Sequence, residues 1–219
     1  SSDGYAHYTT AAGYVLRGTT SDGGMRSADN DGLLATDGWV VTGDFTGGAL
    51  QRYWAGADGA FAAGELVDAG DGSWAYATPE GPVVRGRWAD PETGYVYLAD
   101  NDGRLEDAGW LVSDEYGDGL QRYWVDAEEH ACVPGFSSDG YAHYTTAAGY
   151  VLRGRLGTDN GVIIADNDGL LAESIHSAGI VDTDRYDGTE TRYSFVLVDG
   201  HLYAQTGFFT ADVSGGSNW

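Results

Sequence analysis

The chain contains no lysine and a single cysteine, Cys132, among its 219 residues. One thiol excludes an internal disulfide framework and a cysteine-based zinc site. Positive charge is scarce: the 11 basic residues, all arginine, face 34 acidic ones, for a formal net charge of −23. Nucleic-acid phosphates and anionic membrane surfaces would be repelled, so neither is an expected partner. No apolar run reaches the ~18 residues of a spanning helix, which excludes membrane insertion through helices. Long amphipathic runs at helical spacing are also missing, because glycine interrupts almost every stretch. Only Leu171 to Ala178, LAESIHSA, reads as a possible helical turn. No signal peptide is present; the chain opens mid-pattern at Ser1 and is expected to be part of a larger polypeptide.

What is abundant is glycine (35 residues), aromatic side chains (13 %) and repetition. Residues 1–18, SSDGYAHYTTAAGYVLRG, recur letter for letter as residues 137–154, and a diverged copy, GSWAYATPEGPVVRG, spans residues 72–86. ADNDG begins at Ala28, Ala99 and Ala165; QRYW begins at Gln51 and Gln121, with the related TRYS at Thr191. Three words therefore cycle in one order three times. The array divides into superunits at about residues 1–67, 68–136 and 137–208, with 209–219 as the start of a further repeat.

The clearest single unit is Gly94 to Trp110, GYVYLADNDGRLEDAGW. Tyr95 and Tyr97 alternate with Val96 and Leu98, as on a strand. Asp100-Asn101-Asp102-Gly103 forms a turn cluster, Arg104 to Glu106 a short return strand, and Trp110 closes the unit after Gly109. An inner-strand tyrosine recurs as Tyr8, Tyr53, Tyr76, Tyr97, Tyr123, Tyr144 and Tyr193, with Ser27 and Ile163 in the same role. The closing position carries Thr20, Trp39, Leu66, Trp88, Trp110, Phe136, Leu156, Ile180 and Phe208. About nine hairpins result. A lone hairpin is marginal in water, so each must bury its aromatic face on a neighbour. The expected fold is all-β, an elongated β-solenoid of stacked hairpins. A β-propeller wants longer, four-stranded blades, and a β-sandwich would not explain verbatim repetition.

The frame Y-[LW]-x(3)-D-G-x(5,6)-G-W resembles the cell-wall-binding repeats of Gram-positive surface proteins. That group includes choline-binding repeats, streptococcal glucan-binding repeats and the C-terminal repeats of clostridial toxins. The match is carried by Tyr97-Leu98, Asp102-Gly103 and Gly109-Trp110; by Tyr53-Trp54, Asp58-Gly59 and Gly64; and by Tyr123-Trp124 with Gly135-Phe136. The resemblance implies hairpins rotated by about a third of a turn each, roughly three per turn, with ligand sites between successive hairpins. It also implies cages built from the closing Trp of one unit and strand aromatics of the next, which hold a quaternary ammonium through cation–π attraction. Carried onto this chain, the cage residues are Trp88 with Tyr95 and Tyr97, Trp39 with Tyr53, and Trp110 with Tyr123. Gln51 and Gln121 replace the first strand aromatic in two of these, and Ala6 and Ala142 stand there in two further units. Aromatic platforms flanked by Gln51, Arg52, Asp58, Gln121 and Arg122 also suit sugar rings.

Most repeat tyrosines are expected in the core. Trp54 and Trp124 directly follow a core tyrosine and point to the opposite face, either as ligand platforms or as packing against a neighbouring unit. The ADNDG turns lack the glutamate that closes an EF-hand, since the twelfth position counted from Ser27 is Gly38. Local backbone hydrogen bonding accounts for them, and no metal site is expected. His7 and His143 stand at duplicated positions; His130 and Cys132 lack partners for a zinc or nucleophile site. No catalytic motif and no cofactor motif is found. The expected function is a non-catalytic, secreted or cell-surface module that binds a cell-wall polymer, glycan or choline-like group. Its expected ligand-binding residues are Trp39, Tyr53, Trp54, Trp88, Tyr95, Tyr97, Trp110, Tyr123 and Trp124. The alternative is a structural stalk or adhesin segment with no small ligand.

Overall fold

A computed structural model describes residues 4–117, 119–183 and 191–205, apart from the side chains of 180–183, 191 and 192. The closing residue Phe208 and the tail 209–219 lie outside the described residues, as does the side chain of Ile180. The described chain is all-β apart from one 3-10 turn, Ala172–Ser174, inside the segment read as a possible helical turn.

Six two-stranded antiparallel hairpins follow one another: β1 (Gly18–Thr20) with β2 (Arg26–Ala28), β3 (Gly38–Thr42) with β4 (Gln51–Ala55), β5 (Glu65–Asp68) with β6 (Trp74–Ala77), β7 (Gly86–Ala89) with β8 (Val96–Ala99), β9 (Gly109–Ser113) with β10 (Gln121–Val125), and β11 (Gly135–Ser138) with β12 (Ala142–Thr145). A five-stranded sheet then runs in the order β13 (Gly154–Thr158), β14 (Gly161–Ala165), β17 (His201–Ala204), β16 (Thr191–Val198), β15 (Gly179–Thr183). The hairpins are thus present, but the last ones merge into one larger sheet.

The hairpin boundaries differ from the sequence reading. Each long ladder joins a closing strand to the tyrosine strand that follows it, as in β7 with β8, where Trp88 stands opposite Tyr97. The return segment after the ADNDG-type turn makes only one antiparallel bridge to its own strand: Ala99 to Leu105, Ala55 to Phe61, Ala77 to Val83, Thr145 to Val151. The reason lies in where its N–H groups go. Glu106 N–H turns back to Leu98 O at 2.9 Å, but Leu105 N–H reaches Trp74 O of the preceding hairpin at 2.8 Å. A residue whose N–H is spent on the previous unit cannot extend a ladder with its own strand.

The same stitch recurs along the array. Leu34 N–H donates to Ala6 O, Phe61 to Met25 O, Val83 to Arg52 O, Cys132 to Val96 O, Val151 to Arg122 O and Leu171 to Ala142 O, at 2.8–3.0 Å. Each of these return segments is tied to the strand of the preceding unit by a backbone hydrogen bond that needs no particular side chain.

The ADNDG turns are held from within. The Oδ1 atoms of Asp29, Asp100 and Asp166 each accept two backbone N–H groups, those of Asp31 and Leu33, Asp102 and Arg104, and Asp168 and Leu170, all at 2.8–2.9 Å. Glycine closes the turn for two reasons. Gly103 has φ of +82°, and a Cβ there would lie 2.7 Å from Val83 of the preceding unit.

The interior is a string of small cores. Tyr53, Ala55 and Phe61, with Met25 and Ala35 of the preceding unit packed against them, form one, Val96, Leu98, Tyr116, Tyr123, Val125 and Cys132 another, and Leu152, Ile163, Ala165, Leu171 and Tyr203 a third. Each draws on more than one hairpin, so a single hairpin could not retain its core alone.

Candidate functional site

The bridges and stitches align the units more sharply than the aromatic words do. Counting back from the strand-end residue (Thr9, Ala28, Ala55, Ala77, Ala99, Thr145, Ala165), the tyrosines fall at two different places. Tyr8, Tyr76 and Tyr144 are one residue before it, together with Trp54; Tyr97 is two before it, together with Tyr53, Ala75 and His143. Consecutive strand residues face opposite sides. The single inner-tyrosine position expected from sequence is therefore two positions.

This changes the partners of the expected cages. Trp39 stands opposite Trp54, not Tyr53, and Trp110 stands opposite Trp124, not Tyr123. Both pairs are edge-to-face, with centroids 5.0 Å and 5.4 Å apart. Tyr53 and Tyr123 are 0 % exposed and lie in the cores on the other face. Burial pushes the Tyr123 phenol up to about 12. Trp54 and Trp124 are half-buried. Trp88 and Tyr97 do meet, but Tyr76 of the preceding unit stacks on Tyr97 at 4.0 Å and on Trp88 at 5.4 Å, while Tyr95 packs at the edge of the same cluster. That trio is filled by the chain's own aromatic ring.

The two tryptophan pairs have different surroundings. Beside the first, the Arg52 guanidinium lies 4.5 Å over the Trp39 ring and is itself paired with Asp102 at 3.2 Å. Trp54 lines an open groove of about 320 Å³ whose other walls include Asp58, Phe61, Glu65, Leu66 and Asp68. Beside the second, the His143 ring lies 4.9 Å from both Trp110 and Trp124. Trp110 is 40 % exposed, and its indole N–H donates to Asp139 Oδ2 at 2.6 Å. That hydrogen bond, more than the carboxylate's burial, holds Asp139 below its ordinary range. His143 is 0 % exposed, and desolvation lowers its affinity for a proton despite the backbone carbonyl of Tyr141 and the nearby Asp139. A neutral imidazole, two indoles and an ionised carboxylate thus meet at one partly open place. Aromatic faces and a carboxylate suit an organic cation or the apolar face of a sugar.

Sequence reasoning missed His143 and Asp139 as members of this group, and Tyr76 as the occupant of the Trp88 site. The available signal was the offset between superunits, which puts Ala75 and His143 at the same place in successive turns of the pattern. His130 and Cys132, two residues apart, are separated by the fold: His130 stacks on Trp74 at 4.5 Å, while Cys132 is fully buried with its thiol pushed up to about 12 by desolvation. Such a thiol stays protonated at neutral pH and packs as a small apolar group.

A chain of aromatic hairpins, each stitched to the last, is a repeat protein whose side-chain pairs form between units. Solved structures that share this architecture include bacterial choline-binding proteins. Choline binding protein F from Streptococcus pneumoniae superposes with a TM-score of 0.56 at 16 % identity, over 96 % of this chain and 80 % of that one. CbpJ from Streptococcus pneumoniae TIGR4 gives 0.54 at 16 % identity, over 96 % and 81 %. CbpF in complex with ipratropium gives 0.52 at 20 % identity, over 84 % and 62 %. The chain shares the fold of these choline-binding proteins. No protein-family model and no curated protein sequence matches it.

Proposed function

We propose that the chain is a non-catalytic binding module that attaches a secreted or surface protein to a cell-wall polymer or glycan through aromatic sites between consecutive hairpins. The stitched units would stack as a solenoid, repeating weak sites along its length, so that multivalency turns them into firm retention. The observation that carries this reading is the Trp110–Trp124 pair, with His143 behind it and Asp139 on its rim: a partly open aromatic surface with a carboxylate beside it. A quaternary ammonium gains there from cation–π attraction and from the carboxylate. Choline is the ligand class that the name of the fold relative choline binding protein F supports.

Binding of the intact chain to isolated cell walls, with choline as competitor, tests the reading. Retention that free choline elutes, and that falls in Trp110→Ala and Trp124→Ala, is expected. Retention that choline does not displace but a glycan does would move the ligand to a sugar. No retention on walls or glycans would favour the stalk, which two observations support: Arg52 covers Trp39, and Tyr76 fills the space beside Trp88.

A further inference from the structure

Acidic residues outnumber arginines by 34 to 11, so a guanidinium has carboxylates to choose from. Arg26, Arg52, Arg104 and Arg122 pair with Asp58, Asp102, Asp71 and Asp168. Arg87 and Arg153 are both exposed, and neither forms an ion pair among the described residues. Both belong to the surroundings of Tyr150. The Arg87 guanidinium lies 5.4 Å over that ring, with its Nε donating to Ala148 O at 3.0 Å, and Arg153 follows the tyrosine by three residues. Positive charge is thus left over at one place in a strongly acidic chain.

Tyr150 and Arg153 line an open groove of about 440 Å³. Its other walls include Gln121 from β10, Thr146 from the turn after β12 and Asn167 from the turn after β14, so three consecutive units build it. The backbone stitches set their spacing: Val151 N–H donates to Arg122 O at 2.8 Å and Leu171 N–H to Ala142 O at 2.9 Å. Among the described residues no carboxylate lines this groove, whereas Asp58, Glu65 and Asp68 line the one beside Trp54. Only Nη2 of Arg153 is engaged, 3.4 Å from Leu120 O and 3.5 Å from Gln121 Oε1, both at the long limit of a hydrogen bond. A guanidinium carries five N–H donors in a fork that fits a carboxylate or a phosphate. Elsewhere the set is incomplete. Arg85 Nη2 donates to Gln51 Oε1 at 3.2 Å, with Asn101 on the next turn, but Pro82 stands where Tyr150 does and Glu80 where Ala148 does. The identical stretch Tyr14–Arg17 has no such glutamine strand against it among the described residues, and Val15 is 49 % exposed where Val151 is 3 %.

We infer that the groove between Gln121 and Asn167 is a binding site for an anionic saccharide, a sugar ring that carries one carboxylate or phosphate group. Arg153 takes the anion, and the Arg87 charge beside Tyr150 adds to the attraction. The amides of Gln121 and Asn167 bind hydroxyls, since each offers a donor and an acceptor, and the half-buried Tyr150 ring gives an apolar surface to the sugar's C–H groups. The Trp110–Trp124 pair, with Asp139 beside it, suits the opposite charge, and none of its residues lines this groove. The inference stands whether or not that pair holds a ligand.

Titration of the intact chain with glucuronate, glucose 6-phosphate and glucose at neutral pH, followed by amide NMR, tests it. The charged sugars are expected to shift the backbone amides of Tyr150 to Gly154 and the side-chain amides of Gln121 and Asn167. Whichever of the two binds more tightly names the anion. Glucose is expected to bind roughly tenfold more weakly or not at all, because it offers the guanidinium no charge. Arg153→Ala should cost the charged sugars roughly tenfold in affinity and leave the urea unfolding curve in place, because the side chain is exposed. Equal affinity for glucose, full affinity in Arg153→Ala, or no shift at these residues with either charged sugar overturns the inference. Inorganic phosphate that binds as tightly as glucose 6-phosphate overturns the saccharide. Choline should not displace the charged sugars; displacement would merge this groove with the tryptophan pair and overturn a separate site.

Discussion

The Trp39–Trp54 and Trp110–Trp124 pairs come from the same words. Each joins a strand that opens Gly-Trp to a strand reading Arg-Tyr-Trp, in the same register and with the same edge-to-face geometry. Their difference comes from one position of the following hairpin and from a guanidinium that lies over the first of the two closing tryptophans. Ala75 follows the first pair where His143 follows the second; Arg52 and its counterpart Arg122 pair alike with Asp102 at 3.2 Å and Asp168 at 3.0 Å, but the Arg52 guanidinium also lies 4.5 Å over Trp39. One pair is thereby partly capped by the chain's own cation. The other keeps a partly open indole face over a buried imidazole. The repeat supplies the tryptophan pair, and the variable neighbour decides what lies against it.

The comparison breaks most completely where both regions share a support. Tyr53→Ala or Tyr123→Ala removes a 0 %-exposed ring from beneath either pair, and each is expected to lower stability by about 3–5 kcal/mol in urea unfolding. The phenolic hydroxyls of both have no hydrogen-bond partner among the described residues, so this cost belongs to the ring and not to a polar contact.

His143→Ala turns the second region into a likeness of the first. A loss of about 2 kcal/mol is expected from the cavity it leaves. The same variant removes a pH dependence. Desolvation holds the folded-state pKa of His143 below its ordinary value of 6.5. The unfolded chain therefore binds the proton more readily, and the contribution of the buried neutral ring is complete above that value and lost as pH falls below it. Unfolding curves between pH about 7 and about 5 should show a steeper loss for the native chain than for the variant. Parallel curves would remove the buried imidazole from the account.

Ligand affinity sharpens the contrast further. Trp110→Ala is expected to weaken binding of a quaternary ammonium by roughly tenfold, the worth of one cation–π contact. Trp39→Ala should change it far less, because Arg52 already occupies that ring. Equal losses in titration calorimetry would make the capping irrelevant. The smallest expected effect is that of Arg52→Ala. Loss of its contacts with Trp39 and Asp102 should cost about 0.5–1 kcal/mol. It should also expose the Trp39 ring enough for a second, weaker ligand class to appear in the same titration.

Much of this architecture is legible in the chain itself. Verbatim duplication, alternating aromatics and Asp-Asn-Asp-Gly turns announce stacked hairpins, because a strand that alternates and cannot bury its rings alone must pack on a copy of itself. The burial of Tyr53 and Tyr123 and the opposite facing of Trp54 and Trp124 also follow from the two-residue period of a strand. The partners of each ring did not follow. The word containing Tyr53 and the word containing Tyr76 look alike, yet their registers differ by one residue, and a one-residue slip carries a side chain to the other face.

The sequence by itself determined the hairpin, its turns and the cadence of aromatic residues, since these depend on contacts only a few residues apart. Which strand forms the long ladder, which ring faces which, and whether a guanidinium or an imidazole sits against a tryptophan were decided only in three dimensions. Those choices turn on backbone hydrogen bonds from one unit to the one before, such as Leu105 N–H to Trp74 O, and on side chains that share no sequence neighbourhood, such as Arg87 and Tyr150. Identical segments can accordingly end in unlike surroundings, as Val15 and Val151 do, because a residue's burial belongs to what is packed on it.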